Sequence, residues 1–456
     1  MTMSVIDLGD VSRLPDEPED HPDGRRAFER FRVRRPAKAV IAVLAVLALG
    51  GSALPGPPVL HEVWSAPLSE AESMTVDGDA LYVNRTRGTG TEITAYELGT
   101  GVVRWRRPVD TGPAWLSVTP HGDVLLLPGD EQSIDVTSDD GATVSYSYSG
   151  SLTALDRATG APLWKRPGAP HWQDTGDTLL MYERTPTGTM TWLRLIRTGD
   201  GSVVWERRAP EKSDIVMVQL DGDTPARVVT ATPQGDLTVL RYADGAPVTS
   251  GSVPWQPTSY TTGAGSSLTT VGGRLVVIDT GLGTSGDRSR VTVYRTDELV
   301  PLWSRDTKGW ANVQDCGPLA CVNTLPGSFE AVDPETGEKR WEMPGGQFIG
   351  SVPGGERVLI AGTDDKPQQS LVDAATGRVI GPGGNGSLLS LDEEEGTAML
   401  LRALDQATGA VSRLDTTTGR STLLGRIAAG DQLFCSAQGR WIACSLGDRL
   451  VVSTAG

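Results

Sequence analysis

A short phrase returns along this chain at intervals of about forty residues: a small or apolar residue, an Asp, a Thr-Gly turn, and a Trp four positions after the Gly. The clearest copies are ALDRATGAPLW (154–164), AVDPETGEKRW (331–341) and AYELGTGVVRW (95–105). Repetition at this period marks an architecture in which one supersecondary unit is stacked many times, because a unit that short cannot bury its own apolar faces. The turn glycine, or its equivalent, recurs at Gly101, Gly160, Gly201, Gly245, Gly337, Gly377 and Gly419, and a degenerate copy at 293–303 keeps the Trp but lacks the Gly.

Each unit reads as alternating apolar runs capped by the phrase. Before Trp341 these are ANVQDC, LACVNT, SFEAVD and EKRW, four short strands with turns between them. The chain holds 55 Gly and 30 Pro with no strict short period, which suits many tight turns. In the phrase itself, Asp and Thr side chains are able to bond the local backbone, and Gly accepts positive φ. Trp64, Trp105, Trp164, Trp205, Trp303 and Trp341 are expected to lie flat between neighbouring blades with the indole N–H on a backbone carbonyl. The expected fold is therefore all-β, a propeller of four-stranded blades. HEVW (61–64) looks like a last strand without a beginning, and QLFCSA, RWIACS and RLVVST near the C-terminus look like three strands without a fourth. Joined, they close the ring and remove its exposed edges. A literal count gives nine units, but eight-bladed rings are the commoner solution; the expectation is about eight, with an irregular unit near Gly245 or Gly377 and nine not excluded.

The N-terminal region sets the expected compartment. Residues 1–38 carry eight basic and eight acidic groups, and 25–38 hold seven basic groups against Glu29 alone. Residues 39–60 are uncharged and begin AVIAVLAVLALGGSAL, long enough to span a bilayer, with Pro55, Pro57 and Pro58 closing the helix. The basic flank places this end in the cytoplasm. The expected organisation is a largely disordered cytoplasmic segment at 1–38, a transmembrane signal anchor at 39–58 and an extracytoplasmic propeller at 59–456; cleavage after Gly51-Ser52-Ala53 is the rival. Cys316 with Cys321, and Cys435 with Cys444, flank plausible turns and read as disulfide staples, each closing a short loop worth roughly 2–3 kcal/mol. Two pairs of buried free thiols are the alternative, whereas zinc is disfavoured because no His neighbours either pair.

The net charge of −16 belongs entirely to the chain beyond residue 38, so a nucleic-acid partner is not expected. Asp130, Glu131, Asp135, Asp139 and Asp140 cluster in an insertion, but without the alternating oxygen ligands and tight turns of a calcium loop they read as solvated acids. The run 392–395 reads as a charged turn, and His61, His121 and His171 are widely separated. No G-x-S-x-G, Walker or zinc-protease pattern is present, and no catalytic, cofactor or metal residue is assigned.

The A-x-D-x-x-T-G-x-x-x-W phrase resembles the repeat of pyrroloquinoline-quinone dehydrogenases and their non-catalytic relatives, over nearly all of the chain beyond residue 60. In that family the repeat is structural, and similar blades build a lipoprotein scaffold of the outer-membrane barrel assembly machinery. The enzymatic members carry adjacent cysteines beside the cofactor and calcium held by Glu, Asn and Asp. This chain has no adjacent Cys pair and no recognisable run of those ligands. With the N-terminal segment and the loops that a propeller presents, the expectation is a non-catalytic, membrane-anchored propeller that binds a protein or cell-surface ligand and needs no cofactor. A quinone-dependent oxidoreductase and a transmembrane sensor are the alternatives. The insertions at 130–148 and 251–266 are the expected contact surfaces, the second offering Trp255 and Tyr260.

Overall fold

The computed structural model describes residues 60–455 apart from 69–70, 88–89, 111–117, 138–140, 142, 173–175, 222–223, 257–258, 260–261, 284–285, 326–327, 353–354, 363–368, 393–395, 406–407 and 429–433. Its regular elements are all strands, arranged in nine four-stranded antiparallel sheets. Blades 1 to 8 run in chain order over 71–109, 119–167, 169–208, 215–252, 265–308, 310–344, 346–384 and 387–428. Blade 9 combines three C-terminal strands, Phe434–Gln438, Trp441–Leu446 and Arg449–Ala455, with Leu60–Pro67 from the other end of the chain. The joining register runs from Leu60 opposite Ala455 to Pro67 opposite Arg449.

The ring therefore has nine blades, not eight. The unit near Gly245 ends in a regular fourth strand, Pro247–Ser252, and that near Gly377 in Val379–Gly384. Both strands lack the Trp, which makes them look irregular in the sequence, but both pair with their neighbours. Closure by the two ends is as expected. The helix expected at 39–58 lies outside the described residues, within which no helix is long and apolar enough to cross a membrane.

Nine apolar clusters hold the ring, one at each blade boundary. Leu81 and Val83 of blade 1 meet Leu450 and Val452 of blade 9, while Leu424 and Ile427 of blade 8 meet Ile442 and Cys444 of blade 9. Both faces of every sheet are thus buried against a neighbour, which is the condition that a single unit cannot meet.

The repeated phrase supplies a second link at six of these boundaries. The Asp156 carboxylate accepts hydrogen bonds from Thr159 N (2.7 Å) and Thr159 Oγ1 (2.6 Å), and the Gly160 amide donates to the Asp156 carbonyl at 2.8 Å. The Thr159 bonds hold the Asp156 carboxyl below the ordinary carboxylate range. Gly160 takes φ 68°, and the indole of Trp105 from the preceding blade lies against it with Nε1 donating to the Arg157 carbonyl at 3.2 Å. The same donation runs from Trp64 to Leu98, Trp164 to Thr198, Trp205 to Tyr242, Trp303 to Pro334 and Trp341 to Ala374. An Arg two residues beyond the Trp often adds a bond to the same turn: Arg166, Arg207 and Arg305 donate to the carbonyls of Gly201, Gly245 and Gly337.

Three boundaries lack the Trp, each for a local reason. Thr249 occupies its place in blade 4, opposite Val239, and the turn of the next blade carries Leu299 instead of Gly, at φ 54°. Leu299 packs with Val248 into the cluster between blades 4 and 5. In blade 7 the position is Gly381, where a side chain would collide with the carbonyl of Thr418 in the next turn. In blade 8 it is Leu423, 54% exposed, because closure leaves blade 9 with no third-to-fourth-strand turn to cover it.

Cys316–Cys321 and Cys435–Cys444 both form disulfides, in the first two strands of blades 6 and 9, with Cα separations of 5.5 and 4.1 Å. In such a meander the turn phrases lie at one end of the blades. The loops between second and third strands, and those joining one blade to the next, lie at the other.

Candidate functional site: an arm and groove on the loop face

Blade 2 departs from its neighbours on the loop face. Its two middle strands, Val124–Thr137 and Thr143–Asp156, are each 14 residues long and stay paired out to Thr137 opposite Thr143. The insertion at 130–148 is thus a continuation of the blade as a two-stranded arm. Its sequence, TVSYSYSG, alternates small polar and larger residues, as an extended strand does.

The arm leaves the blade at Asp130, whose φ is 52°. Its carboxylate accepts from Ser151 Oγ at 2.5 Å and pairs with Lys165 Nζ at 2.9 Å. The Ser151 bond first, and the Lys165 charge after it, hold this carboxyl below the ordinary range. Asp135 accepts from the Ser145 hydroxyl across the arm, and Glu131 is exposed. The acidic cluster is therefore dispersed along two strands; Asp139 and Asp140 lie outside the described residues. Among the described residues no three of His, Cys, Asp and Glu are grouped so as to hold a metal ion.

The arm rests on blade 3. Ile134 is only 8% exposed, and a Cβ on Gly188 would stand 2.9 Å from its Cδ1. Tyr148 Oη has two acceptors within reach of its single proton, the Thr185 carbonyl at 3.4 Å and Gln132 Oε1 at 3.3 Å. Between arm and ring lies a groove of 630 Å³, bordered by Tyr146, Tyr148, Tyr182, Arg184, Lys212 and Asp214. Tyr146 is well exposed. The Arg184 guanidinium lies 5.1 Å from the Tyr182 ring centre and donates to the Asp214 carbonyl at 2.6 Å. Burial pushes the Asp214 carboxyl above its ordinary range against the pull of Arg184, and Asp214 Oδ1 has no hydrogen-bond partner among the described residues. Tyrosines beside a mixed set of charges are the composition of a protein-contact surface: large, stiff rings with polar tips, around groups able to pair with either sign.

The other expected positions are scattered. Trp255 is half-buried and packs into the cluster between blades 4 and 5, its Cβ 2.6 Å from where a Gly235 Cβ would stand. Tyr260 lies outside the described residues. The 251–266 segment is tied down by Gln256 N donating to Ser266 Oγ at 2.7 Å. His121 Nε2 bonds the Gly176 carbonyl, and His171 is pushed down from its ordinary pKa by burial; the two do not form a pair. His61 is an exposed residue of the closing strand, and 393–395 lie outside the described residues. The composition signals extra residues in blade 2, but the groove depends on where the arm leans, which no local pattern in the sequence specifies.

A family model described as outer membrane protein assembly factor BamB matches residues 127–320, from blade 2 into blade 6. The matched residues span three complete blades and parts of two others, and the described residues as a whole form a β-propeller. Among solved structures it is similar to BamB from Moraxella catarrhalis, at 15% identity and TM-score 0.42, covering 87% of this chain and 100% of that one. The computationally designed Ika8 protein matches at 11% identity and TM-score 0.43, over 86% of this chain and 99% of the other. A europium-containing methanol dehydrogenase matches at 13% identity and TM-score 0.30, over 69% and 84% respectively. No curated protein matches the chain.

Proposed function

We propose that this chain is a membrane-anchored scaffold whose propeller stands outside the cytoplasm and binds a protein partner on the loop face. The observation that carries this reading is the arm of blade 2 with its tyrosine-bordered groove, a feature that the ring does not need for closure. The matched family model, described as an assembly factor, supports a binding role. The anchor rests on the basic flank and the uncharged stretch at 39–60.

A photo-crosslinking residue at position 146 of the full chain, in its native membrane, tests the site. The expected result is a discrete protein adduct that is absent when the same probe replaces Val102, which is exposed on a turn of the opposite face. Equal labelling from both positions, or none from 146, contradicts the reading. Alkaline extraction tests the anchor separately: the chain stays with the membrane if 39–58 spans it and is released if it does not.

A further inference from the structure

We infer that a cleft between blades 6 and 7, opening on the inner edge of the ring, is a binding site for an uncharged saccharide. The inner strand of blade 7, Gly346–Ser351, packs against the second and third strands of blade 6, whereas the inner strands of blades 8 and 9 pack side by side. That offset leaves 420 Å³ open beside the inner strand of blade 6, Trp310–Cys316. The volume falls in the range of about 300–1,000 Å³ usual for small-molecule sites.

Register gathers the lining. Asn312 lies directly opposite Asn323, so Asn323 shares one face with Trp310, Asn312 and Gln314, and Gln347 and Phe348 complete the wall from blade 7. Trp310 is unlike the six repeat tryptophans. It is 52% exposed, and its ring edge rests on Gly263. Asn323 is 7% exposed, yet its Oδ1 has no hydrogen-bond partner among the described residues. An acceptor buried in this way is costly unless something donates to it.

The chemistry of the wall selects the ligand class. Amides both donate and accept, and so do sugar hydroxyls, so Asn312, Gln314, Asn323 and Gln347 match a polyol in either direction. A flat indole takes the apolar C–H face of a pyranose ring. None of the eight lining residues is charged, so a carboxylate or ammonium would enter without a counter-charge at a desolvation cost. Asn323 Oδ1 is itself closed to solvent, and a turn of the amide toward the cleft would bring it to a sugar hydroxyl, which supplies the missing donor.

Titrating the purified full chain with maltose, cellobiose, mannobiose and chitobiose while monitoring Trp fluorescence tests the inference. At least one should bind with a Kd below about 10 mM. Glucuronic acid and a capped neutral tripeptide should not bind. Trp310→Ala should weaken the active disaccharide at least about tenfold. Asn323→Leu should abolish its binding while leaving the ligand-free protein as stable as before or more so, since it removes an unsatisfied polar group from a buried position. The inference is overturned if all four disaccharides fail at about 50 mM. It is also overturned if binding survives both substitutions, or if the tripeptide or the acid binds in their place.

Discussion

Trp105 and Gly160 meet across the boundary of blades 1 and 2 so closely that a Cβ on Gly160 would stand 2.5 Å from Trp105 Cε3. The same meeting recurs wherever a fourth strand ends its phrase in Trp. It makes the repeat a device for joining blades, in which the turn of one blade is shaped to receive the indole of the one before.

Gly160→Ala should therefore cost more than a left-handed backbone alone. The conformation accounts for about 1–2 kcal/mol and the collision with the indole for about 1–3 kcal/mol, together roughly 2–5 kcal/mol. Gly122→Ala is the control, because Gly122 has φ 56° but open space around it, and it should cost about 1–2 kcal/mol. Chemical denaturation of both variants checks the difference; equal losses would remove the indole from the explanation.

Leu299 and Thr249 replace Gly and Trp at the boundary of blades 4 and 5. Thr249→Trp alone should destabilise, because Leu299 already fills the space, and Leu299→Gly alone should open a void. The double substitution restores the usual pair. A double-mutant cycle should show favourable coupling of at least about 1 kcal/mol. Additive effects would mean that the two positions changed independently.

The acids at the arm should titrate with opposite signs. Burial raises the folded pKa of Asp214, so the folded state holds more protons there, and stability falls as pH rises from the ordinary carboxylate value through the raised one. Asp214→Asn should stabilise at neutral pH and have no effect below that window. Asp130 is lowered by Ser151 and Lys165, so its contribution is present above the ordinary value and lost as pH falls through the lowered one. Asp130→Asn should accordingly weaken the arm at neutral pH. Melting curves across pH check both signs.

Much of this architecture is legible because the phrase combines two local signals, a turn chemistry and an aromatic at fixed distance from it. The blade number is obscured at Pro247–Ser252 and Val379–Gly384, where the Trp is absent but the strand is not. There the next turn has changed to Leu299, or the backbones have drawn together at Gly381 and Thr418, and both adjustments are pairwise contacts between blades. The Arg two residues after the Trp belongs to the repeat as well, but its role shows only once its bond to the neighbouring turn is seen. The pairing of Asn312 with Asn323 and the lean of the arm onto Gly188 depend on register and packing, so neither groove is visible from the residues alone.

Reduction should loosen the ring at its closure. The Cys435–Cys444 bridge joins two strands of the blade shared by both ends of the chain, and each short loop contributes roughly 2–3 kcal/mol. Replacing both cysteines by Ser should raise hydrogen exchange first in Leu60–Pro67. Replacing Cys316 and Cys321, in blade 6 away from the closure, should leave that strand protected. Identical exchange in the two variants would contradict a closure at blade 9.

The ring itself is open to direct view. Electron-microscopic class averages of the purified chain, seen down the ring axis, should show nine radial densities, one of them extended by the arm of blade 2. Eight densities, or a gap in the ring where Leu60–Pro67 meets Arg449–Ala455, would contradict a nine-bladed propeller closed by its own ends.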